Sequence, residues 1–405
     1  MRRLIVALAL AGGAGLHACA SPGYPPGGPE DLDPPVLVSI APDSAATSVD
    51  PDRVLFRFDE VIDERSGGQD LSELFLISPM DGEIDVDWRR QTLAVRPRRG
   101  EWRPNTVYTV TLLPGVRDLR GNVLDEGAAT FFSTGPIIPD TELTGVAFDW
   151  AAGRELPLAF VEAIARPDSI VYIARADSSG RFLLRHLRTG IYTMRTFADA
   201  NRNRLLDPRE PWDTVQVSLT DTASVALYAF IHDTIGPAVS DVRHRDSVTL
   251  RLILDEPLDV EQVISPALFT ILDPDSVPVP IAEALAAWDW DARERELADT
   301  AQADTTRPPA PVPPPAPRAT PDSLADTLSR NWPIFDRPVP VTEIVARLAR
   351  SLAPETQYRI ISHELRNLAG WARTSDRTFT TPAAPPPPPA RPDSVPPPSR
   401  EARPR

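Results

Sequence analysis

The sequence predicts an all-β protein built as tandem β-sandwiches, and three observations carry that expectation. Short runs of β-branched and aromatic residues alternate with turn residues, a period-two pattern rather than a helical one. Five phrases from the first third of the chain recur in the same order after residue 254. Proline supplies 47 of the 405 residues, and much of it is gathered into tracts that separate the β-rich stretches. Repeats of this length fix an architecture before any motif is read.

The chain opens on Arg2-Arg3, an apolar run from Leu4 to Gly15, and Leu16-His17-Ala18-Cys19. The run is too short to span a bilayer and fits a cleaved export signal over residues 1–18. Cys19 is the single cysteine, so an intrachain disulfide and a cysteine metal cluster are both excluded. Leu16 three places before a cysteine, with a small residue directly ahead of it, resembles the bacterial lipobox. That resemblance implies that Cys19 becomes a lipidated N-terminus anchored in membrane. Ala20-Ser21 lacks an aspartate retention signal, which by the same resemblance favours the outer membrane. No later stretch is apolar enough for a membrane helix.

Residues 19–35 form a Pro/Gly tether, with Pro25-Pro26-Gly27-Gly28-Pro29 and Pro34-Pro35, which cannot bury a core. Residues 36–136 then read as seven short strands: Val36–Ile40, Val54–Phe58, Leu74–Ser78, Ile84–Trp88, Thr92–Arg96, Val107–Leu112 and Thr130–Ser133. Seven strands in about 100 residues favour an Ig-like sandwich. Residues 141–230 make a second β unit, in which Asp177-Ser178-Ser179-Gly180 and Arg188-Thr189-Gly190 turn into strands.

Residues 236–382 repeat the first module. Asp59-Glu60 recurs as Asp255-Glu256, Leu74-Phe75-Leu76-Ile77 as Leu268-Phe269-Thr270-Ile271, and Thr106-Val107-Tyr108 as Thr356-Gln357-Tyr358. Asp118-Leu119-Arg120-Gly121 recurs as Asn367-Leu368-Ala369-Gly370, and Phe132-Ser133-Thr134 as Phe379-Thr380-Thr381. An insertion from about Glu294 to Pro338 carries a dense proline run and reads as a disordered loop. Val341 to Leu352 reads as a short helix, and residues 383–405 as a polyproline tail.

The repeated phrases resemble the bacterial Ig-like domain of the S-layer-protein type. The middle unit, with Gly180-Arg181-Phe182 and Leu187-Arg188-Thr189-Gly190-Ile191-Tyr192, resembles the carboxypeptidase-regulatory or prealbumin-like sandwich. The order of lipobox, tether, Ig-like and prealbumin-like modules is similar to that of Gram-negative cell-envelope lipoproteins. This implies a non-enzymatic, lipid-anchored protein whose partners are the membrane, through Cys19, and an envelope protein or glycan.

Charge limits the partners further. The chain carries 42 basic residues, all arginine, against 57 acidic ones, for a formal net charge of −15. An acidic surface opposes binding to nucleic acid.

One loop has the spacing of a calcium site. Counted from Asp199, positions 1, 3, 5, 7, 9 and 12 of an EF-type loop are Asp199, Asn201, Asn203, the carbonyl of Leu205, Asp207 and Glu210. These are hard oxygen donors, suited to Ca²⁺ rather than zinc. Arg204 stands at position 6, where glycine usually makes the turn. The flanking sequence is strand, and a polar turn without an ion is the competing reading.

Catalysis finds little support in the pattern. Asp59-Glu60 and Asp255-Glu256 resemble paired hydrolytic carboxylates, but their recurrence after a strand marks them as turn residues. His232, Asp233 and His244 stand at a module boundary, where a solvated histidine is the simpler reading. Eight scattered tryptophans are expected in cores or at edges. Two alternatives stay open: a carbohydrate- or peptidoglycan-binding lipoprotein using exposed tryptophan, and an envelope hydrolase with an unrecognised site.

Overall fold

A computed structural model describes residues 31–68, 70–99, 101–302 and 332–383. The export segment, Cys19, most of the tether, the centre of the proline insertion and nearly all of the tail lie outside the described residues. The chain divides into two compact units at residue 137, with residues 78–80 grouped with the second.

In the first unit, alternation writes the strands. Val54, Phe56 and Phe58 are buried, while Leu55 and Arg57 between them face solvent. The strands are β1 (Leu37–Ala41), β2 (Val54–Phe58), β3 (Phe75–Ser78), β4 (Ile84–Trp88), β5 (Thr92–Pro97), β6 (Val107–Leu112) and β7 (Ala128–Ser133). Each matches an expected strand to within two residues. One sheet runs β1-β2-β5-β4 and the other β3-β6-β7. Phe56, Phe75, Tyr108, Val110 and Phe132 fill the core without solvent exposure.

The second unit holds two further pairs of sheets. The first pair comprises β8 (Glu142–Asp149), β9 (Arg154–Glu155), β10 (Phe160–Arg166), β11 (Val171–Arg175), β12 (Arg181–Arg185), β13 (Gly190–Phe197), β14 (Trp212–Leu219) and β15 (Thr222–Ala229). Its sheets run β11-β10-β13-β14 and β12-β8-β15, with β9 paired to β8. The β8–β15 pairing is parallel, unlike the others.

The second pair comprises β16 (Val239–His244), β17 (Thr249–Leu258), β18 (Phe269–Leu272), β19 (Pro278–Val279), β20 (Ile281–Ala286), β21 (Val341–Leu348), β22 (Gln357–Arg366) and β23 (Ala372–Thr380). A helix, α1 (Ala287–Gln302), follows β20. Its sheets run β16-β17-β21-β20 and β19-β18-β22-β23.

The sequence repeat is therefore a structural repeat: β16-β17-β21-β20 reproduces the order of β1-β2-β5-β4. Side chains repeat with it. Tyr108 stacks on Phe132 with ring centroids 5.9 Å apart, and Tyr358 on Phe379 at 5.8 Å. The Tyr108 hydroxyl accepts from Arg103 N at 2.8 Å, and that of Tyr358 from Ala353 N at 2.9 Å. Thr106 N donates to Thr134 Oγ1, and Thr356 N to Thr381 Oγ1, both at 2.9 Å. The recurring phrases mark buried hydrogen-bond geometry, which is why they persist in order.

Two expectations are corrected. Val341 to Leu348 is a strand, not a helix, because β21 pairs with both β17 and β20. Ile344, Val345 and Ala346 are all fully buried, so a centrally placed strand loses its alternation and its local period misleads.

The insertion is also more structured than its proline content suggests. Glu294 lies inside α1, held on β17, β20 and β21 by Arg251–Asp291 and Arg293–Glu283 pairs and by buried Trp290. At the insertion's other end, Phe335 meets Phe148 and Tyr228 edge-on at 5.3 and 5.5 Å. Arg337 lies over Tyr228 and Trp150, and Trp150 Nε1 donates to Pro338 O at 3.0 Å.

Candidate metal centre

The loop Asp199–Glu210 caps the hairpin of β13 and β14, which pair without a break from Gly190↔Leu219 to Phe197↔Trp212. A long regular hairpin holds the two loop ends at a fixed separation. Phe197 anchors the entrance by stacking on Phe160 at 5.6 Å.

Within the loop, the predicted donors curl around its backbone. Asp199 uses both carboxylate oxygens, Oδ1 accepting from Asn203 N at 2.9 Å and Oδ2 from Arg204 N at 3.1 Å. Asn201 Oδ1 accepts from Asn203 N at 3.0 Å, and Asn203 Oδ1 from Leu205 N at 2.8 Å. Asp207 Oδ1 accepts from Arg209 N at 3.0 Å. Glu210 Oε1 reaches back across the loop to Ala200 N at 2.8 Å and Asn201 N at 3.2 Å. Arg204 adopts the left-handed conformation that position 6 requires, at φ 59°. A side chain there costs about 1–2 kcal/mol against glycine.

Glu210 is only 6% exposed, and its second oxygen, Oε2, has no hydrogen-bond partner. A buried carboxylate oxygen left unsatisfied is costly. The residues thus fit a hard cation. Asp199, Asp207 and Glu210 do not converge as a tight trio, since Asp31, Glu60 and Asp118 form the one such acidic group within 4.8 Å among the described residues. Asn201, Asn203 and the Leu205 carbonyl occupy the intervening positions, and position 9 of such a loop commonly reaches its ion through water.

The Asp31–Glu60–Asp118 group escaped the sequence reading because its members lie on a tether, a strand end and a distant loop. Burial raises the Glu60 carboxyl, and Asp118, Asp31, Asp59 and Asp33 raise it further. Burial also pushes Asp118 up, but hydrogen bonds from Asn122, Arg120 and Gly121 outweigh it and hold the carboxyl low. Asn122 Nδ2 donates to Asp31 O at 3.1 Å, and Asp59 Oδ1 accepts from Val36 N at 2.8 Å.

The same fastening recurs in the repeat. Asn367 Nδ2 donates to Asp233 O at 2.9 Å, and Asp255 Oδ1 accepts from Ala238 N at 2.6 Å. Burial pushes Glu256 up to about 7, aided by its hydrogen bond with Asp233. The Asp-Glu phrases thus pin each module's incoming chain.

Among the described residues no histidine joins the acidic group that could hold an ion. His232 is sandwiched between Trp212 and Phe230, at 3.7 and 3.9 Å. His244 Nε2 is buried without a partner, and burial lowers both histidines. Trp102 and Trp290 are core residues, whereas Trp288 and Trp371 are about half exposed.

Paired, mainly antiparallel sheets, with one strand order repeated in two modules, define a protein of Ig-like β-sandwich modules. Residues 31–134 match the bacterial Ig-like domain family, so the chain carries a bacterial Ig-like domain. No curated protein sequence matches the chain. Similar solved structures include an L,D-transpeptidase from Mycobacterium smegmatis, 14% identical over 49% of this chain and 77% of that one, at a TM-score of 0.19. Domains 1–6 of the surface layer protein SbsC are 9% identical over 86% of this chain and 54% of that one, at 0.18. A fragment of alpha-2-macroglobulin from Escherichia coli is 13% identical over 62% and 86%, at 0.19. At such low TM-scores these likenesses carry no argument about activity.

Proposed function

We propose that this chain is a non-enzymatic lipoprotein of the bacterial cell envelope, in which acylated Cys19 anchors Ig-like and related β modules to membrane. The observation that carries the reading is the placement of the single cysteine. Cys19 directly follows an export-type segment ending in Leu16-His17-Ala18, and it opens a Pro/Gly tether that stops where the first module begins. A lone acyl chain binds membrane only marginally, so stable anchoring takes a second acyl chain or another membrane signal.

The modules supply surface, and their carboxylates serve structure: Asp59 and Asp255 hold backbone amides at equivalent positions. The partner is an envelope protein or glycan met at that surface, and the outer membrane is the expected location. Metabolic labelling with a palmitate analogue, followed by membrane fractionation, tests the proposal. Wild type incorporates label and sediments with membranes, whereas Cys19→Ser does neither. A Cys19→Ser form that still fractionates with membranes removes the proposal.

Half-exposed Trp288 and Trp371 favour a glycan among the partners. Pull-down with purified sacculi, lost on Trp288→Ala or Trp371→Ala, distinguishes that reading from a protein partner.

A further inference from the structure

We infer that the Asp199–Glu210 loop is a calcium site that clamps the open end of the β13–β14 hairpin. The inference stands apart from lipid anchoring and does not depend on it. Its first support is the donor set. Six positions supply oxygen only: carboxylates at Asp199, Asp207 and Glu210, side-chain amides at Asn201 and Asn203, and the carbonyl of Leu205. Their amide or carboxylate oxygens are already turned onto the loop's own backbone, and each hydrogen bond uses one lone pair and leaves another free.

Independent support comes from Glu210 Oε2. Glu210 closes the loop by binding Ala200 N and Asn201 N through Oε1, so its carboxylate is fixed against the residues that begin the site. Its other oxygen belongs to that same buried carboxylate and has no donor. A folded protein satisfies such an atom or bears a substantial desolvation cost. Position 12 of an EF-type loop is where one carboxylate binds the ion through both oxygens. Here one oxygen remains shared with the backbone, and Oε2 is the strong ligand.

The ion's identity follows from size and charge. Magnesium demands a near-ideal octahedron and gives up its water reluctantly, whereas calcium accepts six to eight oxygens in a flexible shell. A loop of mixed carboxylate, amide and carbonyl donors fits the larger ion. Three carboxylates are opposed by Arg202, Arg204 and Arg209 within the same twelve residues, so the loop brings no net negative charge. The affinity accordingly belongs to the weak, extracellular class, about 10⁻⁵–10⁻³ M. The consequence is structural. The ion joins Glu210, two residues before β14, to Asp199 and its neighbours, two residues after β13, and removes the freedom of the loop between them.

Calcium calorimetry on the full chain, with terbium luminescence as a local readout, tests the site. Trp212 lies two residues beyond Glu210 and is placed to sensitise bound Tb³⁺. The expected result is saturable Ca²⁺ binding in that affinity range, displacement of Tb³⁺ by Ca²⁺, and no comparable effect of Mg²⁺. Glu210→Gln, which keeps Oε1 as a backbone acceptor, weakens binding by at least the roughly ten-fold that loss of even an outer-shell metal contact costs. Asn203→Ala gives the same direction and loses one hydrogen bond only, so it serves should Glu210→Gln fail to fold. Glu60→Gln, altering the acidic group of the first unit, leaves the binding unchanged. No saturable signal up to about 10 mM calcium, ten times the weakest dissociation constant of that class, overturns the inference. So does equal binding by wild type and Glu210→Gln, or loss of binding in Glu60→Gln.

Discussion

Replacing Gly145 by alanine will destabilise the β8–β12–β15 sheet, although the same substitution elsewhere in a strand usually stabilises. Gly145 pairs with Phe182 on one side and Val225 on the other. A Cβ built there lies 2.2 Å from Val225 O and 2.5 Å from Phe182 Cζ. The first obstacle is backbone in a paired strand, and the second is a ring only 2% exposed. Neither is able to give way cheaply. Alanine narrows the unfolded ensemble and contributes about 0.4–1 kcal/mol of stability. Forcing extra atoms into a packed core costs about 1–3 kcal/mol, and more where backbone must move. The net loss is about 2 kcal/mol, or roughly 8–16 °C in melting temperature for a module of this size. Scanning calorimetry of the full chain measures it, with hydrogen exchange of β8, β12 and β15 amides to locate the change. A variant that melts at or above the wild-type temperature would refute the steric reasoning.

Two further outcomes follow from charges. Glu256 is raised to about 7 by burial and by its hydrogen bond with Asp233, while the same bond holds Asp233 low, so the shared proton resides on Glu256. A group raised on folding contributes stability that is complete below its unfolded value and is lost as pH rises through about 7. The module of β16–β23 therefore weakens between acidic and neutral pH, and Glu256→Gln flattens that slope in pH-dependent melting; an unchanged slope contradicts the assignment. Arg195 and Glu162 face each other across β13 and β10, with Arg195 Nε donating to Glu162 Oε2 at 2.6 Å. Glu162 is 3% exposed, so Arg195→Met strands a buried charge at about 3 kcal/mol, the lower end for breaking a buried pair because Arg195 stays partly solvated. Adding Glu162→Gln recovers much of that loss in denaturant titrations, and a double variant no more stable than Arg195→Met disproves the coupling.

Much of this architecture is written locally. Val54 to Phe58 and Val107 to Leu112 alternate between core and solvent, and their strands lie where that alternation places them. The repeat was legible because Tyr108 and Tyr358, with Thr134 and Thr381, hold equivalent backbone groups. The spacing of Asp199, Asn201, Asn203, Asp207 and Glu210 lies within twelve consecutive residues, so it is read from their order alone.

Other features belong to the three-dimensional arrangement. Val341 to Leu348 became a central strand because β17 and β20 flank it, and double pairing outweighs a local helical period. The helix α1 was hidden by the prolines that follow it, although its Arg293 finds an acidic partner on β20 and its Arg295 donates to the backbone carbonyl of Asp291 one turn back. Asp31, Glu60 and Asp118 meet only because folding closes the long separations between them. The stranded oxygen of Glu210 is of the same kind: burial and the absence of a donor are properties of packing, which no spacing of residues along a chain encodes. Sequence alone thus determined the β class, the repeat and the donor order, all of which arise from short-range periodicity. Register and burial determined which of those groups are left in need of a partner.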